Sequence, residues 1–385
     1  MTHESYPAHA ESTDNTEFQL KRTDMPVRNM AVPILIFIVS LVLTGCGTDK
    51  TVTSPHPAAA ARFAVVANSL ANSISTYTID PQSGLLSPKE NVPTGGGSSR
   101  VIAVEPSGRF AYVGNIVSND ISVFSIDANT GRLHMVGAPV PAGSGPRFIV
   151  VGPMGNILYA VNQQANNISA FSINPTTGAL TPLIGTVPTD AAPVELRFHP
   201  SGHFAYVANF NSSDVTVYRV DSTGALGLLG AVPARLSPSS ISMHPSGRFA
   251  YVANLSSNDV TSFSIDQASG GLTPLGLPVS SGNGPTSITL DPQGRFAYVT
   301  NALDDNISVF AVDTASGTLT RSSTAFAGIN PIALSMDTSG RFAYVANLGS
   351  NNITVFTVDP ATGTLTPAGP PAGTLEGPTS VVLVK

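Results

Sequence analysis

PSGRFAYVAN, residues 245–254, is the stretch from which the fold can be read, because the chain keeps returning to it. Near copies stand at 106–115 (PSGRFAYVGN), 200–209 (PSGHFAYVAN), 292–301 (PQGRFAYVTN) and 338–347 (TSGRFAYVAN), with a worn copy at 153–162 (PMGNILYAVN) and a truncated one at 62–68 (RFAVVAN). Counted from Arg62, Arg109, Asn156, His203, Arg248, Arg295 and Arg341, the spacings are 47, 47, 47, 45, 47 and 46 residues. Seven such units fill 62–385. Self-similarity at this period marks a propeller or a solenoid.

One unit shows how the repeat folds. Pro285–Leu290 alternates small polar with apolar residues and predicts a short strand. Asp291-Pro292-Gln293-Gly294 carries the residues of a type I turn. Arg295–Asn301 predicts a second strand, apolar on both faces, so neighbours must cover both. Ile307–Val312 predicts a third strand and Thr318–Thr320 a fourth. Four short antiparallel strands per unit, seven times over, give an all-β chain folded as a seven-bladed β-propeller, which removes long exposed edges by closing a ring. A solenoid would need distinct capping repeats, and the last unit is no more polar than the others. The first unit lacks an inner strand, while the chain ends with a spare one, Pro378–Val384. That C-terminal strand is expected to join the N-terminal blade and lock the ring.

Charged residues make up 11% of the chain, against about 25% in ordinary soluble domains, which suits a turn-rich extracytoplasmic β protein. The net charge is only −6 and no basic stripe with interleaved aromatics is present, so no nucleic-acid partner is expected. Cys46 is the single cysteine, so the fold holds without an intramolecular disulfide. Residues 1–24 are polar and predict a disordered leader or an overlong translation start, with Met25 or Met30 as the true one. Ala31–Leu43 is an apolar run of 13 residues, too short for a spanning helix of roughly 20 and of the length of a signal-peptide core. Leu43-Thr44-Gly45-Cys46 follows directly and resembles a bacterial lipobox, with an ordinary signal peptide as the other reading. On the lipobox reading, 25–46 is a lipoprotein signal peptide, Cys46 carries the lipid, Gly47 at the second position leans towards the outer membrane, and 47–61 is a flexible tether to a propeller spanning 62–385. The membrane is then a partner through the anchor, and the location is the cell envelope. A monomer is expected.

Gly282–Pro285, Pro292–Asn301 and Ile307–Leu319 together resemble the repeat of the lactonase-type seven-bladed propeller family, which includes 6-phosphogluconolactonases and carboxymuconate cyclases; the resemblance runs through 62–385. It implies hydrolysis of lactones, with activity carried around Gly-Pro-Arg-His, His-Pro and Asn-Glu in one blade. The matching positions here are Gly145-Pro146-Arg147-Phe148, Gly152-Pro153 and Asn162-Gln163. The arginine is kept; the histidines and the glutamate are replaced, and an arginine expected in a later inner strand is Ser239. Those changes and the exported location point away from a cytosolic phosphosugar lactone.

Inner strands should line the axial channel, and one of them stands out. Glu195, Arg197 and His199 are spaced by two and so share a strand face. A carboxylate, a guanidinium and an imidazole suffice for general-base attack of water on a lactone with oxyanion stabilisation, and Arg147 from the adjacent strand could clamp an anion. The other reading pairs Glu195 with Arg197 in a polar channel. It also makes His199 and His244, like Glu105 and Asp337, turn residues at the position of Asp291. The recurrent Asn115, Asn209, Asn254, Asn301 and Asn347 are expected to form turns. No cofactor motif is present: Gly95–Gly97 opens no helix, and no Cys/His/carboxylate cluster has metal-ligand spacing. Two functions fit. One is an envelope scaffold binding a protein or glycan; the alternative is an extracytoplasmic lactone hydrolase using Glu195, Arg197 and Arg147. The sequence leans to the scaffold.

Overall fold

A computed structural model describes residues 61–385. The lipobox, Cys46, the signal segment and all but the last residue of the expected tether lie outside the described residues. Seven antiparallel sheets follow one another, and each inner strand lies against the next until the seventh meets the first. This is the seven-bladed ring with four strands per blade. In the sixth blade the inner strand is Pro285–Leu290, the second Phe296–Asn301, the third Asn306–Val312 and the outermost Leu319–Phe326. The outer strand is longer than the expected Thr318–Thr320. It faces solvent along most of its length, so it lacks the apolar alternation that marks a strand in sequence.

Ring closure is carried by the last strand. Pro378–Val384 pairs antiparallel with Phe63–Asn68, from Phe63 opposite Val384 to Asn68 opposite Pro378. The Arg62 amide donates to the Val384 carbonyl at 2.8 Å and the Ser69 amide to the Gly377 carbonyl at 2.7 Å. The first blade is thus built from both ends of the propeller, as the missing and spare strands predict.

The core is divided among the junctions between blades. Second strands such as Phe204–Asn209 and Phe249–Asn254 are buried at every residue, because alternate residues pack on opposite neighbours: Phe204, Tyr206 and Ala208 meet the next blade, while Ala205 and Val207 meet the preceding one. Tyr206 and Phe204 of the fourth blade, for example, share a cluster with Val252 and Phe263 of the fifth. Burial stabilises each such side chain by about 1.5–3 kcal/mol. The Tyr206 hydroxyl donates across the junction to the Gly270 carbonyl at 2.9 Å. Gly270, at φ +74°, presses on the Phe204 ring so closely that a Cβ would stand 2.4 Å from it. The turn glycine of each Asp-x-x-x-Gly segment is therefore required twice, by its left-handed backbone and by the ring beneath it.

The recurrent asparagines correct one expectation. Asn254 is the last, fully buried residue of its strand rather than a left-handed turn residue, and that role falls to Asn258 at φ +56°. The Asn254 Nδ2 donates to Asp259 Oδ1 at 2.8 Å and Thr261 Oγ1 at 3.0 Å, stapling the second strand to the third. Asn115, Asn209, Asn301 and Asn347 make the same pair of bonds.

Candidate functional site

The inner strands Ser99–Val104, Pro146–Val151, Pro193–Phe198, Pro238–Met243, Pro285–Leu290, Pro331–Met336 and Pro378–Val384 enclose an axial channel of about 470 Å³. Aligned on their first residues, the second position reads Arg100, Arg147, Val194, Ser239, Thr286, Ile332 and Thr379. The third reads Val101, Phe148, Glu195, Ser240, Ser287, Ala333 and Ser380. Among the described residues, ionisable side chains reach the channel only from the second, third and fourth blades: Arg100, Arg147, Glu195 and Arg197 all line it.

Glu195 and Arg197 form the pair that the sequence left open. The Arg197 Nε donates to Glu195 Oε1 at 2.7 Å and its terminal nitrogen lies 2.5 Å from the same oxygen. The Ile241 amide of the next blade donates to Glu195 Oε2 at 3.0 Å. That last bond has counterparts: Ser240 Oγ accepts from the Ile288 amide at 3.2 Å, and Ser380 Oγ from the Ile102 amide at 3.4 Å. Glu195 therefore does in its blade what serine does in others, linking one inner strand to the next, and it is 5% exposed. Arg197 is half-exposed and also lies over the Phe148 ring at 5.1 Å.

His199 does not join them. It is buried at the foot of its strand, where the turn back to the second strand begins. Its Nε2–H donates to the Gly247 carbonyl at 2.8 Å, and its Nδ1 accepts from the Ser201 amide at 3.1 Å and hydroxyl at 2.7 Å. A carbonyl only accepts, so these partners fix the neutral Nε2–H tautomer. His244 repeats the arrangement with Gly294 and Ser246, and Glu105 and Asp337 accept turn amides at the same position. The strand thus presents Glu195 and Arg197 to the channel and gives His199 to the turn, so the expected one-face trio is a pair.

Arg100 is the site residue that sequence reading missed. It stands one repeat of 47 residues before Arg147, at the same strand position, and that spacing was the signal that could have found it. It is half-buried, its Nε is shielded with no hydrogen-bond partner, and burial pulls its pKa down to about 10, which still leaves it cationic at neutral pH. Among the described residues, no carboxylate lies within ion-pair distance of Arg100 or Arg147. The channel therefore holds three guanidiniums against one carboxylate. A pair of half-buried cations without protein counter-charge is costly unless an anion meets it, and guanidinium forks match carboxylate and phosphate geometry. Among the described residues, no group of three or more His, Cys, Asp or Glu is arranged to hold a metal ion.

Solved structures of other proteins share this ring. A proposed 6-phosphogluconolactonase of Bacteroides fragilis superimposes with a TM-score of 0.76 at 21% identity, covering 86% of this chain and 100% of its own. The periplasmic gluconolactonase PpgL of Pseudomonas aeruginosa gives 0.74 at 21% identity, covering 85% and 99%. At such identity the likeness speaks for the fold alone. No curated protein sequence matches the chain. The family described as lactonase, 7-bladed beta-propeller, matches residues 56–144, 102–194, 136–285 and 276–383, which between them span the whole ring. The chain belongs to the lactonase family of seven-bladed β-propellers.

Proposed function

We propose that this protein binds small anionic lactones in its axial channel and opens them to hydroxy acids. The observation that carries the reading is the pair Arg100 and Arg147, two channel guanidiniums with no carboxylate within ion-pair distance among the described residues. They would hold the anionic substituent and leave the ring carbonyl towards Glu195 and Arg197. Water adds to the carbonyl carbon, the ring C–O bond breaks, and the proton given up by water ends on the alkoxide that leaves. Glu195 is the one carboxylate in the channel among the described residues, and Oε2, with a single amide donor, keeps a lone pair for that proton. A guanidinium facing the carbonyl oxygen would stabilise its developing charge. The gluconolactonase names of the structural relatives support lactones as the substrate class, and the phosphogluconolactonase name supports an anionic one.

The closed Glu195–Arg197 pair favours a second reading, a binding propeller without turnover. Hydrolysis followed by pH-stat separates the two, using a neutral aldonolactone and the same ring bearing a carboxylate or phosphate. The expected result is preference for the anionic ring, a KM raised about 10- to 100-fold in Arg100→Ala and Arg147→Ala, and a kcat lost in Glu195→Gln. Saturable binding of the hydroxy acid without turnover would leave the binder; neither binding nor turnover would sink both. Export and lipidation at Cys46 belong to the same proposal, and palmitate labelling abolished by Cys46→Ser checks them.

A further inference from the structure

The worn repeat opens a second cavity, away from the channel. About 320 Å³ lies at the junction of the third and fourth blades, between the turn at Gly152–Ile157, the turn at Ser201–His203 and the segment Val220–Gly224. Intact junctions show what belongs there. At the next two junctions an imidazole on the first turn residue reaches the following blade: His199 donates to the Gly247 carbonyl and His244 to the Gly294 carbonyl. Elsewhere an arginine at the start of the second strand reaches a carbonyl of the next blade's outer turn. Arg109 donates to Pro175 at 2.7 Å, Arg248 to Ala315 at 3.0 Å and Arg62 to Ala128 at 3.0 Å. Each of these arginines also covers the phenylalanine that follows it.

In the third blade all three groups are replaced. Gly152 stands for the imidazole, Asn156 for the arginine and Ile157 for the phenylalanine. Among the described residues, no side chain donates to the Gly202 carbonyl, the counterpart of Gly247 and Gly294, or to the Ser222 carbonyl of the outer turn. Both residues line the cavity. Ile157, Val220 and Pro153 give it apolar walls, and Met154 stands 56% exposed at its edge, where a thioether can lie against a ring. The Tyr159 hydroxyl is already committed to the Gly224 carbonyl at 2.5 Å.

We infer that this inter-blade cavity is a binding site for a flat, N–H-rich heteroaromatic molecule of one or two fused rings, such as an aminopurine or aminobenzimidazole. Such a molecule restores what the other junctions contain: a ring between the blades, an azole N–H for the Gly202 carbonyl and an amino N–H for the Ser222 carbonyl. A cavity of this size accommodates two fused rings and lies at the small end of ligand sites. The site is independent of the channel and of lactone chemistry.

The test is calorimetric titration of the full chain with 2-aminobenzimidazole, and with 1-methylbenzimidazole as a ring of like size that has no N–H. The expected result is one saturable site for the first, with the second at least about tenfold weaker. Asn156→Arg, which rebuilds the missing arginine at the cavity mouth, should weaken binding at least about tenfold, and Arg147→Ala in the channel should leave it unchanged. Gly152→His should also block the site. Its Cβ would stand 2.9 Å from the Tyr159 ring, so the exposed Asn156→Arg decides if that variant folds poorly. No saturable binding, equal binding of the methylated ring, survival of binding in Asn156→Arg, or its loss in Arg147→Ala would each overturn the assignment.

Discussion

In the fourth blade two neighbouring strands obey different constraints. The second strand, Phe204–Asn209, has the sequence FAYVAN, which the fifth and seventh blades repeat letter for letter, and every residue of it is buried. The inner strand beside it, Pro193–Phe198, shares its leading proline with five others but carries Glu195 and Arg197 where the fifth and sixth blades have serine or threonine. The second strand is held between two blades, so each residue answers to packing on both faces. The inner strand faces a channel on one side, and there chemistry can vary without loss of the core. Repetition in this chain marks what the ring needs, and departure from repetition marks where a ligand can be met.

The strongest way to break that comparison is to remove the one inner strand on which ring closure depends. Pro378–Val384 buries Val381 and Val384 at 2% exposure each and covers the open edge of Phe63–Asn68. Truncation after Gly377 removes both valines and the ladder, a loss of about 4 kcal/mol or more from burial alone. Thermal unfolding and protease resistance should both collapse. A truncated chain that melts with the full one would show that the ring closes some other way.

A sharper contrast sets one residue from each kind of strand against the other. Asn254→Ala leaves the buried Asp259 and Thr261 side chains without their shared donor and should cost about 1–3 kcal/mol. Arg147→Ala removes a half-buried cation with no ion-pair partner among the described residues and should leave stability unchanged or raise it, while abolishing most anion affinity. Denaturant unfolding of the two variants checks this. Equal destabilisation would mean that the inner strands are as much core as the second strands.

The same contrast explains what the sequence disclosed. Strand boundaries in the sixth blade were legible to within a residue for the first three strands, because turn residues and paired-face burial repeat at each. The outer strand Leu319–Phe326 was not, since water on its outer side removes the apolar signal. Within the site, Glu195 and Arg197 were legible as charges in an otherwise neutral column, but their pairing depends on rotamers that spacing does not specify. His199 shared their strand face, yet its partners Ser201 and Gly247 sit in two turns, one of them in the next blade. Arg100 escaped because its strand opens with Ser99 in place of proline, which hides its alignment with Arg147.

The smallest expected effect concerns the turn at the foot of the inner strand, where five blades use either an imidazole or a carboxylate: Glu105, His199, His244, Asp291 and Asp337. Burial pulls the His244 pKa below its ordinary 6.5, against the opposing pull of Asp291 and alongside the repulsion of Arg248. A folded-state pKa below the unfolded value means that the unfolded chain binds the proton more readily. The stability His244 contributes is thus complete above pH 6.5 and lost as the pH falls through its folded pKa. His244→Asp installs the residue that Asp291 and Asp337 already place at this position. Its carboxylate keeps its charge until about pH 4, so the variant should hold its melting temperature between pH 6.5 and 5, where the parent loses a few degrees. Melting curves across that interval check it. An unchanged slope would mean that the imidazole is not what the foot of the blade titrates, and that turn anchoring there is as indifferent to acid as the buried second strand.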